Sequence, residues 1–79
     1  MEYLALTPYQ LAQVIRGFRH SRRLTQKDAA ALGGMLQKTV SNIELTPEHT
    51  SVESLFKLLS ALNLELVLRD KGTADKEQP

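Results

Sequence analysis

Leu24-Thr25-Gln26-Lys27-Asp28-Ala29-Ala30-Ala31-Leu32-Gly33-Gly34-Met35-Leu36-Gln37-Lys38-Thr39-Val40-Ser41-Asn42-Ile43-Glu44 carries the signals of two short helices and the turn between them. Thr25 is a residue type that caps helix starts, and Asp28, three positions on, completes a Thr-x-x-Asp capping box. Asp28 also falls in the first helical turn, where the helix dipole favours negative charge. The small run Ala29-Ala30-Ala31 lets another helix approach closely. Gly34 can take the left-handed conformation that ends a helix without steric cost. A following helix spans about Gln37 to Glu44. Its apolar residues Val40 and Ile43 are three apart and share a face. Gln37, Lys38, Ser41 and Asn42 point away from that face, and side chains of this kind can donate to and accept from base edges in a major groove.

Charge supports that reading. The net charge is only +1, but it is unevenly spread. Residues 16–38 hold Arg16, Arg19, Arg22, Arg23, Lys27 and Lys38 against Asp28 alone, and residues 39–79 hold four cations against seven acids. A basic patch that coincides with such a helix pair fits a phosphate-binding face better than an ordinary solvated one. The 79 residues suffice for one domain with a modest core. Without cysteine there is neither a disulfide staple nor a thiolate metal site. Stability must come from helix packing, with help from a second subunit. No stretch is apolar enough to span a membrane and no basic-then-apolar leader is evident, so a cytoplasmic protein is expected. No nucleophile-base pair, carboxylate pair or phosphate-binding glycine loop stands out, so neither an enzyme nor a cofactor is expected. His20 and His49 lack partners at ligand spacing and read as surface residues.

Outward from the central stretch, Thr7-Pro8 starts a first helix, with Thr as cap and Pro at the first helical position. That helix runs to about His20 or Ser21, with Leu11, Ile15 and Phe18 on one stripe and Val14 beside them. Residues 1–6 are an apolar segment with no assigned place. After a loop around Pro47, Thr50 to Glu53 reads as a second capping box opening a fourth helix. Val52, Leu55, Phe56, Leu59 and Leu62 are its expected buried stripe. Asn63 is its C-terminal cap. Leu64, Leu66 and Leu68 then alternate with Glu65, Val67 and Arg69, the period of a strand. A lone strand leaves its backbone groups unpaired, which points to pairing with a second copy. Continuation of the fourth helix is the competing reading. The expectation is therefore a mainly α, four- to five-helix domain over residues 7–70 with a short C-terminal strand, followed by a polar, disordered tail over 71–79.

The central stretch resembles the helix-turn-helix of the Cro/phage-repressor (XRE-type) class, through Leu24-Thr25-Gln26, Ala30, Gly34, Gln37, Val40 and Ser41-Asn42-Ile43-Glu44. Gly33 departs from the pattern, where an apolar residue is usual, and Leu36 replaces the usual Ser or Thr cap. Over Thr7 to Asp70 the chain is similar to the HipB-type antitoxins. The likeness lies in Thr7-Pro8, Gln10-Leu11-Ala12, Thr25-Gln26, Gln37, Thr39, Ser41-Asn42, Glu44, Pro47, Thr50 and Leu66-Val67-Leu68. This resemblance implies a homodimeric repressor of its own operon that also binds a HipA-type serine/threonine kinase toxin. It places Gln37, Lys38, Thr39, Ser41 and Asn42 at the bases of a palindromic double-stranded operator, with Thr39 able to reach phosphate as well. Gln26 would hold the phosphate backbone, and Lys27, Arg22 and Arg23 would add attraction. Arg19 and Glu44 would form a structural clamp, the alternative being a phosphate contact for Arg19. Leu64, Leu66, Val67 and Leu68 would pair across the dimer. Some relatives end in an aromatic anchor for the toxin, whereas Lys76-Glu77-Gln78-Pro79 offers none. Two other functions stay open: a stand-alone repressor without a toxin, which the neighbouring gene would decide, and a kinase-toxin-binding module with weak DNA binding, which a salt-dependent shift on operator DNA would separate from a repressor.

Overall fold

Each helix begins and ends on a local signal. The computed structural model of the chain describes residues 2–72. Helix α1 (Pro8–Ser21) starts where the Thr7 hydroxyl accepts from the Gln10 amide at 3.1 Å. Helix α2 (Gln26–Gly33) opens on the reciprocal box: Asp28 N–H donates to the Thr25 hydroxyl and Thr25 N–H to the Asp28 carboxylate, both at 3.0 Å. Helix α3 (Gln37–Leu45) follows, then a single 3-10 turn over Pro47–His49 and helix α4 (Val52–Ala61).

Three of the four helices close in the same way. Arg23, Gly34 and Asn63 take left-handed backbone at φ 58°, 67° and 59°. The amide of the next residue then reaches back five positions: Leu24 to the Arg19 carbonyl, Met35 to Ala30 and Leu64 to Leu59, at 3.1, 3.0 and 2.8 Å. This is the Schellman closure, which satisfies carbonyls that the helix end would leave unpaired. Leu24, Met35 and Leu64 all pack against the core, so each closure also turns an apolar side chain inward.

That core consists of Ile15 from α1, Ala29 and Ala30 from α2, Val40 and Ile43 from α3, and Leu58, Leu59 and Leu62 from α4 and its cap. Burying a side chain such as Ile15 or Leu58 stabilises the fold by about 1.5–3 kcal/mol. Ala29 and Ala30 are small, so α2 lies close to both α3 and α4. Gly33 completes that approach. A Cβ there would stand 3.0 Å from the Met35 Cε and 3.1 Å from the Lys57 carbonyl oxygen of α4. Met35 thus lies against the place where a side chain at 33 would be.

The structure corrects two expectations about α4. Its cap is Ser51, whose hydroxyl accepts from the Ser54 amide at 3.0 Å, not Thr50. Thr50 instead closes the 3-10 turn, its amide donating to the Pro47 carbonyl at 3.2 Å. The buried stripe is also rotated. Leu58 is fully buried, while Val52 is 68% and Phe56 48% exposed. Leu55, Leu58, Leu59 and Leu62 keep helical spacing on one face, and Val52 and Phe56 flank it.

The left-handed turn at Asn63 stops α4, so residues 64–69 do not continue the helix. They run without regular structure in the single chain, with Leu64 against the core and Leu66, Val67 and Leu68 exposed. The N-terminal segment, unplaced from sequence, lies beside them. The rings of Tyr3 and Phe18 meet in a T-shape with centroids 5.1 Å apart, Leu6 N–H donates to the Gln10 side chain at 2.8 Å, and Glu2 pairs with Arg69 at 3.4 Å. The expected disordered tail lies, from residue 73 onward, outside the described residues.

Candidate nucleic-acid interface

An ion pair sets the position of α3. The Arg19 Nε donates to the Glu44 Oε2 at 2.6 Å, and one terminal nitrogen donates to Oε1 at 3.0 Å. The fork is bidentate, the strong geometry for this pair. The side chains are only 9% and 3% exposed. The other terminal nitrogen of Arg19 donates to the Leu24 carbonyl at 2.9 Å, and the first also meets His20 Nε2 at 3.2 Å. A third partner joins from α2: the Gln26 amide donates to Glu44 Oε1 at 3.1 Å. Burial alone would push the Glu44 carboxyl up. The hydrogen bonds from Arg19 and Gln26, with the charges of Arg19 and Arg16, outweigh burial and hold it below the usual glutamate value. Among the described residues no buried side-chain polar atom lacks a partner. The last turn of α1, the first residue of α2 and the end of α3 are thus joined through one carboxylate.

Val40 and Ile43 anchor α3 to the core and Glu44 is held in the ion pair, so the polar residues of its first two turns line the outer side. Gln37, Lys38 and Asn42 are exposed, and Thr39 and Ser41 are half-buried at the edge of that face. The helix presents two amides, two hydroxyls and an ammonium within its first two turns. Lys27 is exposed on the first turn of α2, and Gln26 is half-buried because its amide serves Glu44. Arg22 lies over the Phe18 ring at 4.9 Å, and Arg23 occupies the left-handed position of the α1–α2 turn. Both are exposed. The cations expected at phosphates therefore sit on α2 and the turn before it, not on α4. Leu64 is separate from them, committed to the core, and Leu66, Val67 and Leu68 continue along the chain beside the N-terminal segment.

Nothing local in the sequence signals the Gln26 to Glu44 bond. Gln26 and Glu44 are 18 residues apart, and no local periodicity links them. The signal available was chemical: a carboxylate buried against one arginine fork has lone pairs left, and a neighbouring amide is a suitable donor.

Residues 9–68 match the family model described as Helix-turn-helix. Two curated relatives are both antitoxins named HipB. One, from Escherichia coli O6:H1 strain CFT073, is 37% identical over 71 residues, covering 90% of this chain and 76% of the relative. The other, from Escherichia coli K12, is 35% identical over 71 residues, covering 90% and 81%. Among solved structures, a chain from a HipA-HipB-O2-O3 complex superposes with a TM-score of 0.86 at 32% identity, covering 90% of this chain and all of that one. A chain from a HipB-O4 20mer complex gives the same TM-score, identity and coverage.

Proposed function

Because this chain belongs to the helix-turn-helix family that includes the HipB antitoxins, we propose that it is a sequence-specific DNA-binding repressor and the antitoxin of a HipA-type kinase. The carrying observation is the outward polar row of α3, anchored through Val40 and Ile43 and joined at Glu44 to α1 and α2. A recognition helix must offer hydrogen-bonding groups at its N-terminal end and must not move when it meets the bases. This helix carries such groups, and its buried Val40 and Ile43 and the bonds at Glu44 tie it to the rest of the domain. Gln37, Lys38, Ser41 and Asn42 address base edges, and Thr39 reaches base or phosphate. Gln26 holds the phosphate backbone with its remaining amide hydrogen, while Lys27, Arg22 and Arg23 contribute charge. Relatives of the same fold occur in complexes with HipA and with an O4 20mer, which supports both partners. The setting is cytoplasmic, in keeping with an operator-binding role.

The chain acts on DNA as a homodimer. Leu6, Val52, Leu55 and Leu66 line one shallow groove, and Val67 and Leu68 extend the exposed apolar surface beyond it. Contiguous apolar surface of this kind marks an interaction site. A second copy covers it when Leu64, Leu66, Val67 and Leu68 pair with their own counterparts across a two-fold axis. Such a dimer sets its two recognition helices about 34–36 Å apart, or a multiple, on a palindromic operator.

Co-purification with the products of the flanking genes, followed by footprinting of the upstream DNA at several salt concentrations, tests this reading. A salt-sensitive palindromic footprint and a kinase-like partner are expected. A footprint without a partner leaves a stand-alone repressor. A partner without a footprint leaves a toxin-binding module.

A further inference from the structure

Leu36 holds the N-cap position of α3 at φ −80° and ψ 150°, and its carbonyl accepts from the Thr39 and Val40 amides at 3.0 and 3.3 Å. Its side chain makes no cap bond. The residue type favoured here has a short side-chain oxygen, and leucine forgoes that stabilisation. Nor does Leu36 gain burial in exchange, for its side chain is 73% exposed. The neighbouring Met35 shows the contrast, turning inward to pack on the core. A lone surface leucine on a free flank would need no explanation. This one breaks the local rule at the tip of the helix whose first residues, Gln37 and Lys38, face outward. A local rule broken without structural return points to a functional position.

The floor of the major groove offers one apolar group, the 5-methyl of thymine. We infer that Leu36 reads a thymine methyl at the base pair next to the one addressed by Gln37. The inference rests on α3 being the recognition helix. It deepens that reading by naming a sequence preference made by exclusion of water rather than by hydrogen bonds. Covering one methyl against a leucine is worth about a three- to tenfold gain in affinity per half-site.

The test uses the dimer and its footprinted operator. Each thymine is replaced in turn, in both half-sites, by deoxyuridine, which lacks only the methyl. For the wild-type chain one position should lose about three- to tenfold per half-site. For Leu36→Ala the same replacement should cost nothing, and the variant's own loss on the thymine duplex should vanish on the deoxyuridine duplex. Circular dichroism checks that the variant is folded. Should Leu36→Ala fail to fold, the wild-type scan still decides, because the sensitive thymine must adjoin the base pair whose replacement is tolerated by Gln37→Ala. Equal deoxyuridine losses in wild type and variant, or no sensitive thymine at all, would overturn the inference while leaving operator binding intact. Failure to bind any operator specifically would instead overturn the reading beneath it.

Discussion

Removing the carboxylate of Glu44 leaves the Arg19 fork buried beside Gln26 with no acceptor for its Nε. Breaking a buried pair from one side costs about 3–5 kcal/mol. Glu44→Ala should therefore lower the denaturant midpoint severely, and a change within 1 kcal/mol, on the order of a surface substitution, would refute the clamp's role. Acid should act on the same bond. The folded Glu44 titrates below its ordinary value, so its contribution is complete above the unfolded pKa of about 4.3 and is lost as pH falls through the lower folded value. Glu44→Gln should flatten that part of the stability-pH curve. Arg23 offers a gain. An L-residue in left-handed backbone costs about 1–2 kcal/mol, so Arg23→Gly should raise the melting temperature while weakening DNA binding and reducing its salt slope. Unchanged stability would mean the turn is not strained. On DNA, Gln37→Ala should cost about 1–3 kcal/mol for one preferred base, whereas Gln26→Ala should weaken all sequences alike. Equal losses on operator and random duplex for Gln37→Ala would remove it from base reading.

At the scale of the element, the signals legible in sequence were those whose meaning is local. The Thr25 and Asp28 box, the Gly34 turn and the Asn63 cap each depend on a few neighbouring residues, and the structure shows all three. Arg23 escaped notice because its left-handed position is normally written with glycine or asparagine. The start of α4 is not fixed locally, because Thr50 and Ser51 can both cap, and the choice falls to the 3-10 turn before them. The buried face of α4 differs from the expected stripe for another reason. The apolar arc of α4 is wide, with Leu58 at one edge and Val52 and Phe56 at the other, so pattern alone does not fix its centre, and packing against α2 does. The unusual Gly33 is explained by that same packing. Gly33→Val should destabilise the domain by about 1–3 kcal/mol through overpacking against Met35 and the rigid Lys57 carbonyl. A neutral or stabilising result, measured by thermal melting, would show that α2 and α4 can separate at little cost.

For the whole molecule, the family resemblance anticipates the Arg19–Glu44 clamp that holds α3, but not the third bond from Gln26, because it joins helices 18 residues apart with no local pattern between them. The dimer is the remaining expectation at this scale. Leu66→Pro should remove a backbone donor from the pairing segment and give a monomer on sedimentation. A variant sedimenting as an unchanged dimer would move the interface elsewhere.

The repeated closure after α1, α2 and α4 has a calorimetric consequence. Leu24, Met35 and Leu64 each fasten the departing chain to the interior, so the connections are already ordered before any ligand arrives. Encounter with DNA should then carry no latent folding. Its heat-capacity change should match the apolar surface covered at the contact, without the added increment that accompanies a segment ordering as it binds.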